Sequence, residues 1–181
     1  MVTLASPSGP LAGTPVTNGI VNAVWRALRD VPDPEVPVIS IVELGIVRSV
    51  EATTDGVRIR ITPTYSGCPA MSAIEADVRG ALQRLGIEQV SIETQLSPAW
   101  TTDWMAPEAK AKLSAFGIAP PGPASRVDVT GISPLRRHRA VPCPRCASTT
   151  TSLVAQFGST ACKALYRCAS CGEPFDYFKP F

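Results

Sequence analysis

Apolar residues first fall into register at helical spacing. Ile20, Val24, Ala27, Leu28 and Val31 share one face and Asn18 is placed to cap, so the pattern predicts an amphipathic helix over 19–30. Pro32, Pro34 and Pro37 end it, because proline lacks an N–H and disfavours helix in the residue before it. Val38–Gly45 is a short apolar stretch broken by Glu43 and Gly45. The period then changes to two. Ile46–Thr53 and Val57–Thr62 flank Asp55-Gly56, and Val57, Ile59 and Ile61 alternate with Arg58 and Arg60, which predicts a half-buried hairpin. After the loop 62–70, Ala70, Ala73, Ile74, Val78, Ala81, Leu82 and Leu85 return to helical spacing until Gly86 stops them. Ile87–Leu96 reads as a third strand, and Pro107–Phe116 as a last helix ended by Gly117.

The pattern changes again past residue 118. Residues 119–141 are rich in proline and then basic, which reads as a linker. Thr149–Phe157 and Ala164–Arg167 are strand-like, with Gly158-Ser159 between them. The fold class expected is therefore α+β. A small α-β-β-α-β-α domain over 18–118 is followed by the linker and by a β-rich, four-cysteine ribbon over 142–181. Residues 1–17 carry no Lys or Arg, and Pro7, Gly9, Pro10, Gly13 and Pro15 interrupt any apolar run, so they read as a disordered leader and not a signal peptide.

Composition adds two constraints. A hydrophobic share of 45% is enough for a packed core, and no run approaches the roughly 20 apolar residues of a membrane span. With no export signal the expected location is the cytoplasm, where clustered cysteines bind metal more often than they form disulfides. The net charge of +2 conceals an uneven distribution. Residues 1–130 carry ten Lys/Arg against thirteen Asp/Glu, whereas 131–181 carry seven against two. Once four thiolates hold a dication the tail's excess is modest, so nucleic acid is a disfavoured partner.

The cysteines carry the chemistry. There are six against one histidine, and five of them lie in the tail. Cys143 and Cys146 form one CxxC pair and Cys168 and Cys171 another, 21 residues apart. Two such turns brought together by a hairpin make a tetrahedral four-sulfur site that suits structural zinc. An iron–sulfur cluster, or an iron centre carrying electrons, fits the same thiolates, and unliganded buried cysteines are the plain alternative. A closed four-cysteine site has no open position for chemistry, so it stabilises and presents a surface. Phe175, Tyr177 and Phe178 are too many aromatics for so small a ribbon to bury, and either cover its core or meet a partner. Cys162 reads as a structural cysteine, with a ligand or reactive thiol as the alternative.

Cys68 stands apart, just before Pro69 at the mouth of the second expected helix. Unpaired N–H groups there favour an anion and would lower the thiol's pKa. Thr62, Thr64 and Ser66 supply hydroxyls and Gly67 permits close approach, so a metal, a cluster or a thioester are possible occupants, against a merely capped and partly buried cysteine. Asp33-Pro34-Glu35 is a second, acidic loop that on its own reads as a turn with solvated carboxylates. His138 lies in the basic linker, and no Ser-His-Asp, HExxH, GxGxxG or P-loop pattern occurs.

Two segments carry a resemblance. Asp33-Pro34-Glu35, Pro37-Val38 and Leu44-Gly45, together with Thr62-Pro63-Thr64 and Cys68-Pro69, make residues 18–118 similar to the SufT-like iron–sulfur assembly factors. Adding Cys143-Pro144-Arg145-Cys146, the run Phe157–Cys168 and Glu173–Lys179, the whole chain resembles the PaaD-like family of phenylacetate degradation. That resemblance implies an accessory role in the phenylacetyl-CoA epoxidase system, not catalysis by the chain itself. Members accompany a diiron oxygenase and its flavin/iron–sulfur reductase and assist maturation or maintenance of their metal centres. The implied partners are those subunits and the iron–sulfur assembly machinery. The implied cofactors are structural zinc and a transient iron–sulfur cluster or iron. Cys68 corresponds to the family's reactive cysteine, with Asp33, Glu35, Thr62 and Thr64 beside it, and Cys143, Cys146, Cys168 and Cys171 to the metal ligands. A stoichiometric structural subunit and a four-cysteine electron-transfer component of the oxygenase are the alternatives.

Overall fold

Pro15 opens helix α1 (Pro15–Arg29). Its fixed φ and missing N–H suit a first turn, so the helix starts earlier than the apolar period predicts and Asn18 lies exposed inside it, not at its cap. The computed structural model describes residues 15–122 and 140–181. Most of the expected leader and linker, His138 included, therefore lie outside the described residues. Val24 and Leu28 on α1 have no exposed surface.

Strands β1 (Val47–Ala52) and β2 (Val57–Ile61) form the expected antiparallel hairpin, closed by Thr53 and Gly56, and β3 (Val90–Thr94) lies parallel to β2 on its other side. Parallel pairing needs a crossover, and helix α2 (Met71–Gln83) supplies it. Val57, Ile59 and Ile61 turn inward to Ile74, Val78 and Leu82 of α2, all at most 2% exposed. On the other face Arg58 and Arg60 lie between Glu51 and Glu93, so the alternation of the hairpin becomes a cross-strand charge ladder. Helix α3 (Pro107–Ala115) completes the unit with Ala109 and Leu113 buried. The element order is the α-β-β-α-β-α expected. No helix among the described residues is long and apolar enough to cross a membrane.

The tail forms a second sheet of three antiparallel strands, β4 (Thr151–Ala155), β5 (Lys163–Cys168) and β6 (Pro174–Phe178). The third strand is not among the elements expected, and it disposes of the aromatic surplus. Phe175 stacks on Tyr166 inside the ribbon, while Phe178, 1% exposed, enters the core of the first unit and lies 6.2 Å from the Trp100 ring. Burial of both rings is thus possible because two cores share them. Ala119, assigned to the linker by composition, has no exposed surface: its N–H donates to Asp176 and its carbonyl accepts from Phe178. The ribbon packs directly on the first unit.

Candidate metal centres

The two CxxC turns are near copies of one another. In each, the first cysteine's carbonyl accepts from the residue after the second: Ala147 N–H to Cys143 at 2.9 Å, and Gly172 N–H to Cys168 at 3.0 Å. That residue must be left-handed, and it is so in both turns, at φ 60° for Ala147 and 78° for Gly172. Glycine adopts this freely, whereas alanine does so at about 1 kcal/mol. The first cysteine's N–H in turn donates to Ser148 and to Glu173 respectively. Ser148 and Ser170 hydroxyls meet at 2.7 Å, and Arg145 pairs with Glu173, which fastens the turns together.

The sulfur positions follow from this. Cys143 and Cys171 are 3.8 Å apart, Cys146 and Cys168 are 3.6 Å apart, and all four sulfurs lie within 4.8 Å of one another. A tetrahedron with metal–sulfur bonds of about 2.3 Å has edges of about 3.8 Å, so the residues fit a four-coordinate ion. Without a metal Cys146 and Cys168 are shifted in opposite directions. N–H groups of Cys171 and Ser170 pull Cys168 down to about 6. The Ser148 N–H pulls Cys146 the same way, but its bonds to the thiols of Cys171, Cys168 and Cys143, with burial, push it up to about 12. A divalent cation removes that conflict by holding all four as thiolates.

The second candidate lies where loop 62–70 leaves β2. Cys68 is half-buried, and its backbone N–H donates to the Tyr65 carbonyl at 3.2 Å. Burial pushes its pKa up, the carboxylates of Glu35 and Asp33 add to the shift, and the Ala70 N–H opposes it without prevailing. This corrects the expectation of a thiolate stabilised at a helix mouth. Helix α2 starts at Met71, beyond Pro69 and Ala70, and desolvation with two nearby acids outweighs its N–H groups. Cys68 is a protonated thiol at neutral pH. Thr62 and Thr64 are buried at the root of the loop, and the Thr62 hydroxyl has no hydrogen-bond partner among the described residues.

Asp33 and Glu35 behave differently from one another. Asp33 is 5% exposed, and one of its oxygens accepts the N–H groups of Glu35 at 2.9 Å and Val36 at 2.8 Å, which closes the acidic turn. Burial raises its pKa, and those two N–H groups offset part of the shift. Glu35 faces outward from the turn and meets the ribbon. The buried Cys162 thiol donates to its Oε2 at 3.5 Å, and Lys163 Nζ donates to its carbonyl at 3.3 Å while lying 3.7 Å from Asp176. Burial, opposed by the Thr160 hydroxyl and reinforced by Glu35, pushes Cys162 up to about 11. Burial pushes the Tyr65 pKa up to about 12, and Cys68, Glu35 and Cys162 add to the shift. Tyr65 and Lys163 escape sequence reasoning, which singles out Cys162 only as a structural cysteine with a ligand or reactive thiol as the alternative.

Comparison with known proteins agrees with this division. Residues 129–179 match the family described as the PaaD zinc beta ribbon domain, and residues 22–94 that described as iron–sulfur cluster assembly protein. A protein of Escherichia coli (strain K12), provisionally named as the D component of 1,2-phenylacetyl-CoA epoxidase, is 50% identical over 163 residues, 88% of this chain and 92% of that one. An Fe-S protein maturation auxiliary factor of Porphyromonas gingivalis is 38% identical over 92 residues, 50% of this chain and 87% of that one. Among solved structures, a domain of unknown function (DUF59) from Bacillus anthracis is 29% identical with a TM-score of 0.51, covering 54% of this chain and 94% of that chain. With half its residues identical along nearly the full length of such a relative, the chain belongs to the PaaD family of phenylacetyl-CoA epoxidase components, an iron–sulfur assembly domain joined to a zinc ribbon.

Proposed function

We propose that the protein assists maturation or maintenance of the iron or iron–sulfur centres of a phenylacetyl-CoA oxygenase and its reductase, and is not itself a catalyst of the epoxidation. The observation that carries this reading is that Asp33, Glu35, Thr62, Thr64 and Cys68 all lie in the segment, residues 22–94, that matches iron–sulfur cluster assembly proteins. Iron or a cluster is here the substrate. Cys68 supplies a soft ligand that gives up its proton on binding, and Glu35 and Asp33 supply the negative charge that favours a cation. Asp33 also holds the turn through its two N–H contacts. The tetrad of Cys143, Cys146, Cys168 and Cys171 holds zinc in this reading, because a closed sulfur shell suits a resident structural ion. Its surroundings form the surface offered to the partner subunits.

The test is Cys68→Ser in cells that depend on the protein for epoxidase activity. The variant is expected to accumulate as a folded chain that no longer supports the activity, and full activity would overturn the reading. The name of the Escherichia coli relative supports a second reading, a stoichiometric structural subunit. Co-purification with the oxygenase in fixed ratio, together with an active Cys68→Ser variant, would favour it. Anaerobic metal analysis decides the tetrad: zinc and no visible absorption support a structural ion, and iron with a visible spectrum supports electron transfer.

A further inference from the structure

We propose that Cys162 of the ribbon joins Cys68 and Glu35 in a composite site for a single ferrous ion, so that the iron-handling site is completed by the zinc ribbon. The proposal deepens the proposed function and rests on its reading of Cys68 as an iron ligand. Four observations point to it.

First, Cys162 does not belong to the core of its own sheet. It is 3% exposed and packs in the core of the first unit, the same core against which Cys68 and Tyr65 lie. Second, its sulfur is 3.5 Å from Glu35 Oε2. Bonds of about 2.3 Å to sulfur and about 2.1 Å to oxygen at the tetrahedral angle give a sulfur–oxygen edge of about 3.6 Å, so this pair already has the spacing of two ligands on one ion. Third, the position of Cys162 is fixed from both sides. Lys179 N–H donates to its carbonyl at 3.0 Å, and Thr160 Oγ1 lies 3.0 Å from its sulfur. Fourth, Tyr65, three residues before Cys68, interacts electrostatically with Cys68, Glu35 and Cys162 alike and packs with Cys68 against the core that holds Cys162.

Among the described residues the tetrad is the one group of three or more donors with all ligand atoms within 4.8 Å of one another, so Cys68 must close onto the Cys162–Glu35 pair when the ion arrives. Ser66, Gly67 and Pro69 around it are exposed, and Gly67 has open space where a side chain would be, so the loop has room to make that movement. On binding, two thiol protons leave to solvent and no electron is transferred. Two thiolates and one carboxylate leave one coordination position open. An ion so held can be received from a donor and released to an acceptor, unlike the ion of the closed tetrad. Thiolate donors favour ferrous iron over magnesium or calcium.

The experiment uses the full-length, zinc-loaded protein under anaerobic conditions. It is titrated with ferrous ion, and with cobalt(II) as a spectroscopic probe whose thiolate charge-transfer absorption counts sulfur ligands. Cobalt binds such sites less tightly than zinc, so the tetrad keeps its metal. Wild type is expected to bind one ion beyond the zinc. Cys162→Ser and Cys68→Ser should each weaken binding at least tenfold and halve the charge-transfer intensity per bound ion. Glu35→Gln should weaken it at least tenfold with the intensity kept, and it carries the test should Cys162→Ser not fold. Loss in Cys68→Ser with no change in Cys162→Ser or Glu35→Gln overturns the composite site and leaves the proposed function standing. No second ion in wild type overturns the composite site, while epoxidase activity of Cys68→Ser in cells judges the proposed function independently.

Discussion

Replacing Phe178 by alanine is expected to loosen the ribbon from the first unit. The ring is 1% exposed and sits in a core to which its own sheet does not belong. A phenylalanine buries about 150–250 Å², which at about 25 cal/mol per Å² is about 4–6 kcal/mol of transfer free energy. Buried phenylalanines truncated to alanine lose about 3–5 kcal/mol in practice, and that is the expected loss here. It is a large share of the about 5–15 kcal/mol that stabilises an ordinary domain. Urea unfolding of the zinc-loaded protein, followed by tryptophan fluorescence, reads it directly, because Trp100 lies 6.2 Å from the ring. Phe181→Ala is the control: that ring also meets Trp100, edge-on at 6.0 Å, but is 38% exposed, and its removal should cost less than about 1.5 kcal/mol. A Phe178→Ala variant within about 1 kcal/mol of wild type, or no weaker than Phe181→Ala, would refute the argument that the two units share this core.

Three further outcomes are expected. Chelating the tetrad's metal should abolish amide protection across β4, β5 and β6 before that of β2, since structural zinc contributes about 10–16 kcal/mol in small metal domains; protection unchanged in the metal-free protein would contradict this. Asp33→Asn keeps the acceptor for the Glu35 and Val36 N–H groups but removes a buried charge. Because burial raises the Asp33 pKa in the fold, wild type loses stability as pH rises through that value, so the asparagine variant should melt higher at pH 7 with the gain gone by about pH 3; a lower melting temperature at pH 7 would count against it. Gly45→Ala should cost more than about 2 kcal/mol, because φ is +79° and the new Cβ would lie 2.6 Å from the Trp104 carbonyl oxygen; a denaturation midpoint equal to wild type would dismiss the constraint.

Local signals are legible in the sequence and distant ones are not. The alternation of Val57, Ile59 and Ile61 with Arg58 and Arg60 specifies β2 because strand faces repeat every two residues. The CxxC pairs specify the tetrad because each turn places its own two sulfurs and the hairpin joins them. By contrast, Cys162 and Glu35 are 127 positions apart, and nothing in either neighbourhood announces the other. Phe178 reads as surplus because the core that receives it belongs to another unit. The place of Cys68 ahead of α2 is legible, but its protonation follows from burial and from Glu35 and Asp33, which helix-end reasoning does not count.

Strand β5 has a consequence of its own. Cys168, at its end, belongs to the tetrad, and Cys162, one residue before its start, touches Glu35. Six extended residues separate their α-carbons by about 20 Å. No single ion spans that gap, and no short rearrangement passes an ion from one end to the other. On the proposed reading, the strand works as an insulator between two metal sites. With a resident ion in the tetrad and a transferable one at Cys162, as proposed above, it would keep the two from being drawn off together and make the alignment of the far end depend on the resident ion. If the proposed zinc and iron assignments hold, a cell short of zinc would lose iron delivery before it lost any iron.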